Sequence, residues 1–326
     1  HHRILINLKM TMTVRLLTAT VFLIAGAILS SAQQQLKFSN FDQWVVRHIP
    51  ESSIIGGKTK TLYEVGPNDT ITGAKAYVSK GSPWATSNVY ARVMGVNKGS
   101  VAVYPDKHGS GRCVKLTTKL DSVNALHIVN IQVLVGGSIF LGKMLEPVKS
   151  SSDPYSKMEM GIPFTSRPKA LKFDYKVYSP NVNHRIECTG FSKKKEIAGR
   201  DSSEIFIILQ RRWEEDGKIY AKRVGTGRER FWNTTPSWIE GHTLDVNYGD
   251  ITKSQFYKPW MGLIPEDKCY YALNSKGKMV PVHEVGWDSP DAKPTHLLIM
   301  ASAACGTAYI GTPGQTLWID NVELVY

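Results

Sequence analysis

Alternation of apolar and polar residues is the sequence feature that most constrains this fold. Apolar side chains occupy every second position from Leu171 to Val177, and again from Val129 to Val135. A period of two places such residues on one face of a β-strand, whereas a helix needs a period near 3.6. No long amphipathic helical pattern follows Gln35. The sequence therefore predicts an all-β fold.

A hairpin and the spacing of the strands refine this prediction. Residues 205–209 are continuously apolar, as in a strand covered on both faces, and Asp216-Gly217 then turns the chain toward residues 219–224. There is no linker-like stretch and no internal repeat, so residues 33–326 are predicted to form one jelly-roll β-sandwich domain. We expect its excess length in loops, chiefly within residues 225–290.

The first 32 residues predict an export signal. Lys9 and Arg15 precede the apolar run of residues 16–29, and Ser30-Ser31-Ala32 supplies the small residues of a cleavage site. The run is shorter than the roughly 20 residues that a transmembrane helix needs. We therefore predict a signal peptide that is cleaved after Ala32, and no membrane span.

Charge and cysteine content narrow the classes of partner. The formal net charge of +12 suits anionic partners or simply solubility. Nucleic acid is not predicted as a partner, because the longest basic run is Lys193-Lys194-Lys195 and no known binding motif accompanies it. Four cysteines in an exported chain permit disulfides without requiring them. No pair of cysteines has the spacing of a metal site, so zinc is not predicted.

The two ends of the predicted domain carry aromatic anchors. Residues 38–44 open it and residues 317–324 close it, and terminal strands of this kind commonly pair in jelly rolls. Asp320 lies in the closing segment and is the one candidate ligand for a structural calcium ion, which related sandwiches bind where their terminal strands meet. No other cofactor is predicted.

Six stretches of the chain carry a further pattern. They are residues 51–68, 82–90, 156–177, 261–267, 273–288 and the closing IDNVEL of residues 319–324. By their order and number they resemble the putative carbohydrate metabolism domain family, found mainly in glycan-using Gram-negative bacteria. The resemblance implies a β-jelly-roll similar to carbohydrate-binding modules and to certain glycoside hydrolases, located in the periplasm or at the cell surface.

A glycan site needs exposed aromatic planes beside planar hydrogen-bonding groups, since a sugar has an apolar face and a rim of hydroxyls. Tryptophans in loop-like contexts, which include Trp232 and Trp238, are the best platforms, although ordinary packing explains any one of them as well. Alternation places Gln210 and Arg212 on one sheet face. The predicted carbohydrate-binding residues are Trp84, Gln210, Arg212, Trp260, His283 and Trp287.

Three functions remain open at this point. The first is an exported protein that binds an oligo- or polysaccharide in glycan acquisition or metabolism, and the sequence favours it. The second is a glycoside hydrolase, which needs two carboxylates roughly 5 to 10 Å apart; Glu284 and Asp288 are the candidates. The third is an adhesion or structural protein that binds other envelope proteins through an apolar patch.

Overall fold

The computed structural model describes residues 34–125, 129–305 and 307–326. The described strands all belong to one compact unit, Leu36–Tyr326. The predicted signal peptide and its cleavage site lie outside the described residues. Among the helices in the described ranges, none has the length and apolar character required to cross a bilayer.

The described residues form 24 strands and four single-turn 3-10 helices. The strands are β1 (Trp44–Pro50), β2 (Thr59–Val65), β3 (Asp69–Thr72), β4 (Trp84–Thr86), β5 (Val89–Val93), β6 (Val96–Ser100), β7 (Val103–His108), β8 (Gly111–Ala125), β9 (Val129–Gly136), β10 (Ser138–Met144), β11 (Met158–Met160), β12 (Ile162–Pro163), β13 (Ala170–Tyr178), β14 (His184–Glu187), β15 (Lys195–Ala198), β16 (Ser203–Glu215), β17 (Lys218–Phe231), β18 (Ile239–Asp245), β19 (Asn247–Tyr248), β20 (Tyr271–Leu273), β21 (Met279–Trp287), β22 (His296–Ser302), β23 (Ile310–Gly311) and β24 (Thr316–Val325). The 3-10 helices are Ser53–Ile55, Pro154–Lys157, Pro259–Met261 and Glu266–Lys268.

The architecture is an all-β sandwich, as the alternation predicts. A six-stranded sheet has the order β18-β13-β24-β8-β7, with β9 paired to β8, and it packs on a ten-stranded sheet. Inward-facing side chains of both sheets form the main core, for example Phe173 on β13, Ile319 on β24 and Ile207 on β16. Burying this apolar surface is the main favourable term in folding.

The ten-stranded sheet is covered on both sides. Its order is β12-β22-β16-β17-β21-β20-β11-β10-β4, with β19 paired to β17 as the tenth strand. Because β22 also pairs with β10, the path from β22 to β10 closes on itself. Phe206 and Ile208 alternate with the core residue Ile207 and belong to a second apolar cluster with Phe140 and Met160. Double coverage confirms the prediction made from the apolar run of residues 205–209.

The predicted hairpin is confirmed in detail. Glu215 pairs with Lys218, which leaves Asp216 and Gly217 as a two-residue turn between β16 and β17. Their φ angles are 51° and 79°, so both residues are left-handed. Glycine adopts such a φ without steric cost and aspartate tolerates it, which is why this pair suits a tight hairpin.

Residues 246–270 contain only the two-residue strand β19 and two single-turn 3-10 helices, which agrees with the long loops expected within residues 225–290. One expectation about organisation is wrong. The terminal strands do not pair with each other: β1 pairs with β2 and β3, whereas β24 lies between β13 and β8. The opening segment does contact β24, where the Val322 N–H donates to the Ser39 carbonyl at 2.9 Å.

A buried arginine at the β1–β2 pair is shared by two carboxylates. Arg47 Nη1 lies 3.1 Å from Glu64 Oε1, and its Nη2 lies 2.8 Å from Glu146 Oε1. All three side chains are nearly inaccessible to solvent. One guanidinium cannot balance two buried carboxylates. Burial, with the nearby charge of Glu146 adding to it, raises the pKa of Glu64 to about 8 despite the opposing effect of Arg47.

Candidate functional site

Several predicted site residues meet inside the closed path of the large sheet. Arg223 on β17 pairs with Glu284 on β21 through two contacts, Nη2 to Oε1 at 2.5 Å and Nε to Oε2 at 2.8 Å. Gln210 donates from Nε2 to Glu284 Oε2 at 2.7 Å, and Arg212 donates from Nε to Gln210 Oε1 at 2.9 Å. We call Gln210, Arg212, Arg223 and Glu284 the arginine–glutamate cluster.

Two strand irregularities aim these side chains at each other. The register of β16 and β17 shifts between Leu209 and Gln210, and that of β17 and β21 shifts between Ala221 and Lys222. Such bulges change the direction of side chains relative to a regular ladder. The extra residues lie in β17 and β21, so plain alternation along β16 keeps Gln210 and Arg212 on the same face as the apolar Phe206.

The environment of Glu284 is that of a structural carboxylate. Besides Arg223 and Gln210, the Ile264 N–H donates to Oε1 at 2.8 Å, so four hydrogen bonds reach the two oxygens. Burial alone would raise the pKa of Glu284, but the charge and hydrogen bonds of Arg223, together with those of Gln210 and Ile264, lower it. An ionised carboxylate with no free lone pair is a poor acid and a poor nucleophile. This geometry contradicts the catalytic role expected of Glu284.

The second candidate carboxylate, Asp288, is also engaged. Its Oδ2 lies 2.7 Å from Arg211 Nε, and its Oδ1 accepts the Ser289 N–H at 3.0 Å. Burial opposes these contacts, but the hydrogen bonds and the Arg211 charge lower the pKa of Asp288. Asp288 therefore stays ionised in an ion pair at the edge of the cluster.

Trp260 and Trp287 flank the arginine–glutamate cluster as half-buried side chains. The Arg223 guanidinium carbon lies 5.4 Å from the centroid of the Trp287 ring, and that of Arg230 lies 4.7 Å from the centroid of Trp260. Each contact is a cation–π interaction that covers part of the indole. These tryptophans stiffen the rim of the cluster more than they offer a bare platform.

Trp84 is a correction to the sequence prediction. It lies on β4, not in a loop, and its side chain is 1% exposed in the main core. Its ring packs edge-on against Phe41, with centroids 5.4 Å apart, and its ring N–H donates to the Lys37 carbonyl at 3.1 Å. An indole enclosed in this way has no free face for a sugar.

A second group of polar and aromatic side chains lies on the outer side of the six-stranded sheet. Along β24, Trp318 and Asp320 alternate with the core residues Leu317 and Ile319, so they point away from the core. We call the group the tryptophan–histidine face. Its members are His108, Lys176, Trp238, Trp318 and Asp320.

A histidine–carboxylate pair lies at the centre of this face. His108 Nδ1 lies 2.6 Å from Asp320 Oδ2, and the opposite ring nitrogen lies 3.6 Å from Glu240 Oε1. The imidazole stacks on Trp238, with ring centroids 3.8 Å apart and planes 18° from parallel. Burial raises the pKa of Asp320, although hydrogen bonds from His108 and the Asn321 N–H act in the opposite direction.

A β-bulge positions Asp320. The register of β13 and β24 shifts between Lys172 and Asp174, where Asn321 has a left-handed φ of 49°. The Asn321 amide donates to Asp174 Oδ2 at 2.8 Å, and its N–H donates to Asp320 Oδ1 at 2.8 Å. Asparagine tolerates left-handed backbone better than most residues, so it suits the bulge.

One lysine lies above both tryptophans of this face. Lys176 Nζ is 4.3 Å from the centroid of Trp318 and 5.5 Å from that of Trp238. The indole N–H of Trp318 donates to Asp106 Oδ2 at 2.8 Å, which fixes the ring on the sheet. Both indoles are half-buried, as Trp260 and Trp287 are. The flexible lysine ammonium groups over Trp318 can move aside for a ligand, whereas Arg223 over Trp287 is held by a buried ion pair.

Sequence reasoning found only part of this face. It placed Trp238 among the loop-like tryptophans and Asp320 as a calcium ligand, but it did not select Trp318, His108 or Lys176 for a site. The available signal was the alternation along β24, which puts Trp318 and Asp320 on the face opposite to Leu317. Calcium binding at Asp320 stays a prediction.

None of the curated proteins matches the sequence. A solved structure of a putative glycoside hydrolase from Bacteroides thetaiotaomicron aligns with 83% of this chain and 76% of its own, at 16% identity and a TM-score of 0.42. The model of the putative carbohydrate metabolism domain matches residues 53–236, more than half of the chain. The chain therefore belongs to the putative carbohydrate metabolism domain family.

Proposed function

We propose that this protein binds an oligo- or polysaccharide through the tryptophan–histidine face without cleaving it. The observation that carries the proposal is the placement of Trp238 and Trp318 beneath the Lys176 ammonium, beside the His108–Asp320 pair. Indole rings stack on the apolar face of a sugar, while imidazole, ammonium and carboxylate groups bond its hydroxyls. Membership in a carbohydrate metabolism family supports this ligand class.

The distribution of exposed surface supports this face over the arginine–glutamate cluster. Glu284 and Arg223 are 7% and 1% exposed, and their polar atoms bond one another and the neighbouring backbone. A ligand there would have to break buried ion pairs, which costs several kcal/mol. On the tryptophan–histidine face, a ligand that stacks on Trp318 displaces the flexible Lys176 and Lys115 side chains and leaves the His108–Asp320 pair intact.

Glycoside hydrolysis at the same face is the second candidate. Asp320 and Glu240 both lie beside the His108 imidazole, and Asp174 is the register partner of Asp320 across β13 and β24. Hydrolysis needs an acid and a nucleophile or base on either side of the bond. Asp320, whose pKa is raised by burial, would be the acid.

We also propose that the protein acts after export, in the periplasm or at the surface of a Gram-negative cell, where it contributes to glycan acquisition or metabolism. The support is the predicted signal peptide, which lies within residues 1–32 and ends at Ala32. Expression of the full chain in a Gram-negative host, followed by fractionation and N-terminal sequencing, tests it. Export with Gln33 as the new first residue is expected, and retention of the intact chain in the cytoplasm would contradict it.

A glycan array tests the proposed activity, with each hit also incubated and analysed for released sugars. Binding without release is expected, and Trp318→Ala should lose it while Trp232→Ala keeps it. Trp232 is the matched control because its side chain is 39% exposed and is not part of the face.

Release that disappears in Asp320→Asn would instead establish hydrolysis. Absence of binding across a broad array would count against both glycan functions and in favour of adhesion to other envelope proteins.

A further inference from the structure

Three side chains with metal-binding chemistry converge near the start of β20. Glu266 begins the 3-10 helix Glu266–Lys268, Cys269 directly follows that helix, and His283 lies on β21. Among the described residues they are the one group of three His, Cys, Asp or Glu side chains with mutually close ligand atoms. The proposed glycan site does not include any of them.

The fold explains why these residues meet. β20 and β21 are antiparallel, with Tyr271 opposite Pro281, and the Val282 N–H donates to the Tyr270 carbonyl at 2.7 Å. Continuing this register places Cys269 opposite His283, and facing residues on antiparallel strands have Cβ atoms about 4.5–5.5 Å apart. One turn of 3-10 helix brings Glu266, three residues earlier, to the same side.

The distances approach those of a metal site. His283 Nδ1 lies 2.8 Å from Glu266 Oε2, Cys269 Sγ lies 3.8 Å from the same oxygen, and all three ligand atoms are within 4.8 Å of one another. Zinc bonds of about 2.0–2.3 Å in tetrahedral geometry place ligand atoms roughly 3–4 Å apart. Small side-chain rotations would therefore complete the site.

The buried arginine–glutamate cluster holds the two ligand-bearing segments together. Glu284, the residue after His283, accepts the N–H of Ile264, two residues before Glu266, at 2.8 Å. The Arg223 guanidinium also donates to the Gly262 carbonyl of this segment at 3.1 Å. The ligand positions are thus fixed by buried contacts, which is the preorganisation that a metal site requires.

We propose that Glu266, Cys269 and His283 bind a zinc ion, with the fourth position open to water. Thiolate, imidazole and carboxylate form a donor set suited to zinc, and two anionic ligands neutralise its charge. Binding would release the thiol proton and replace the His283–Glu266 hydrogen bond with two bonds to the metal. The Glu266 and His283 side chains are 69% and 25% exposed, so an ion can enter from solvent.

The other cysteines provide the contrast. All four are buried and none forms a disulfide. Cys113 and Cys188 have their Sγ atoms near the Lys107 and Gln132 carbonyls, and Cys305 contacts the Ser202 hydroxyl. Among the described residues, Cys269 is the only cysteine that contacts a carboxylate, that of Glu266, which is itself bonded to a histidine, His283.

Cobalt(II) titration of the full chain tests the proposal, because a thiolate–cobalt bond gives a charge-transfer absorption band that histidine and carboxylate ligands do not produce. We expect the band to saturate at one cobalt per chain and to disappear when zinc is added. Cys269→Ser should abolish it. Cys188→Ser should keep it, since a serine hydroxyl can also donate to the Gln132 carbonyl.

Glu266→Gln provides a variant that does not threaten folding, because this side chain is largely exposed. Loss of this ligand should weaken cobalt binding at least tenfold while the melting temperature without metal stays the same. A wild-type chain without the thiolate band, or an equal band in Cys269→Ser, would overturn the proposal.

Discussion

The arginine–glutamate cluster and the tryptophan–histidine face use similar residues with opposite outcomes. Both combine ion pairs with indole rings beside cations. In the cluster, the closed strand path excludes solvent and the polar groups bond one another. On the face, the His108–Asp320 pair borders the Glu240 side chain, which is 73% exposed, and the cations over the rings are flexible lysines. Residue type alone therefore does not separate a structural network from a binding surface; coverage by neighbouring strands does.

The largest effect should follow from removing the buried carboxylate. Glu284→Ala leaves the Arg223 guanidinium buried without its partner, and such a change costs about 3–5 kcal/mol of unfolding free energy. Urea denaturation monitored by tryptophan fluorescence measures it. The matched control is Glu240→Ala, because Glu240 is 73% exposed and contributes one long contact to His108. Equal losses in the two variants would refute the contrast between the two regions.

The next effect is a pH dependence that separates two kinds of buried ion pair. The pKa of Glu64 is raised from its ordinary value of 4.5 to about 8. The contribution of Glu64 to the free energy of unfolding is therefore fully present below pH 4.5 and is lost as the pH rises toward 8. One proton changes stability by at most about 1.4 kcal/mol per pH unit. The pKa of Glu284 is lowered, so its contribution is present above 4.5 and is lost as pH falls.

Denaturation between pH 5 and pH 8 for the wild type and for Glu64→Gln measures the first contribution. The variant should lose the part of the decline that Glu64 causes. If Glu64→Gln keeps the wild-type pH dependence, the loss of stability at higher pH does not come from Glu64. The raised pKa inferred from its contacts with Arg47 and Glu146 would then be wrong.

A smaller effect is expected on the open face. Trp238→Ala should weaken glycan binding about tenfold, equivalent to about 1.4 kcal/mol, because it removes a stacking surface. Its effect on unfolding should be smaller than that of Trp84→Ala, which opens a core cavity and costs about 3–5 kcal/mol. Calorimetric titration with the strongest array ligand, followed by thermal melts, measures both. Full affinity in Trp238→Ala would exclude it from the binding site.

The smallest effect should come from Asp288→Asn. Its partner Arg211 is 41% exposed, so the ion pair contributes about 0–1 kcal/mol to stability. Glycan affinity and any sugar release should be unchanged. Loss of product release in this variant, if release occurs at all, would restore Asp288 as a catalytic candidate.

Strand positions were predictable because they depend on local pattern. The alternation within residues 171–177 and 129–135 lies in β13 and β9, and Asp216-Gly217 closes the predicted hairpin. The shared environment of Gln210 and Arg212 also followed from alternation, since both belong to the same hydrogen-bonded group. Each of these features depends on residues close in sequence.

The rest required contacts that no local pattern encodes. β17 and β21 pair in parallel across about 60 residues, and only this pairing encloses Glu284 with Arg223. Trp84 resembles a loop residue until β4 pairs with β10. His108 and Asp320 are 212 positions apart, so the sequence does not show that they meet.

The position of β24 has a consequence for folding kinetics. This strand lies between β13 and β8, and the Thr117 and Thr316 hydroxyls, 3.3 Å apart, are separated by 199 positions in the chain. Pairings over such loops form slowly because the entropy of loop closure must be overcome first. Trp318 and Asp320 join His108 only when β24 docks. Under the proposed function, glycan affinity returns during refolding only after β24 has docked. The rate at which binding recovers would therefore measure the rate at which this strand docks.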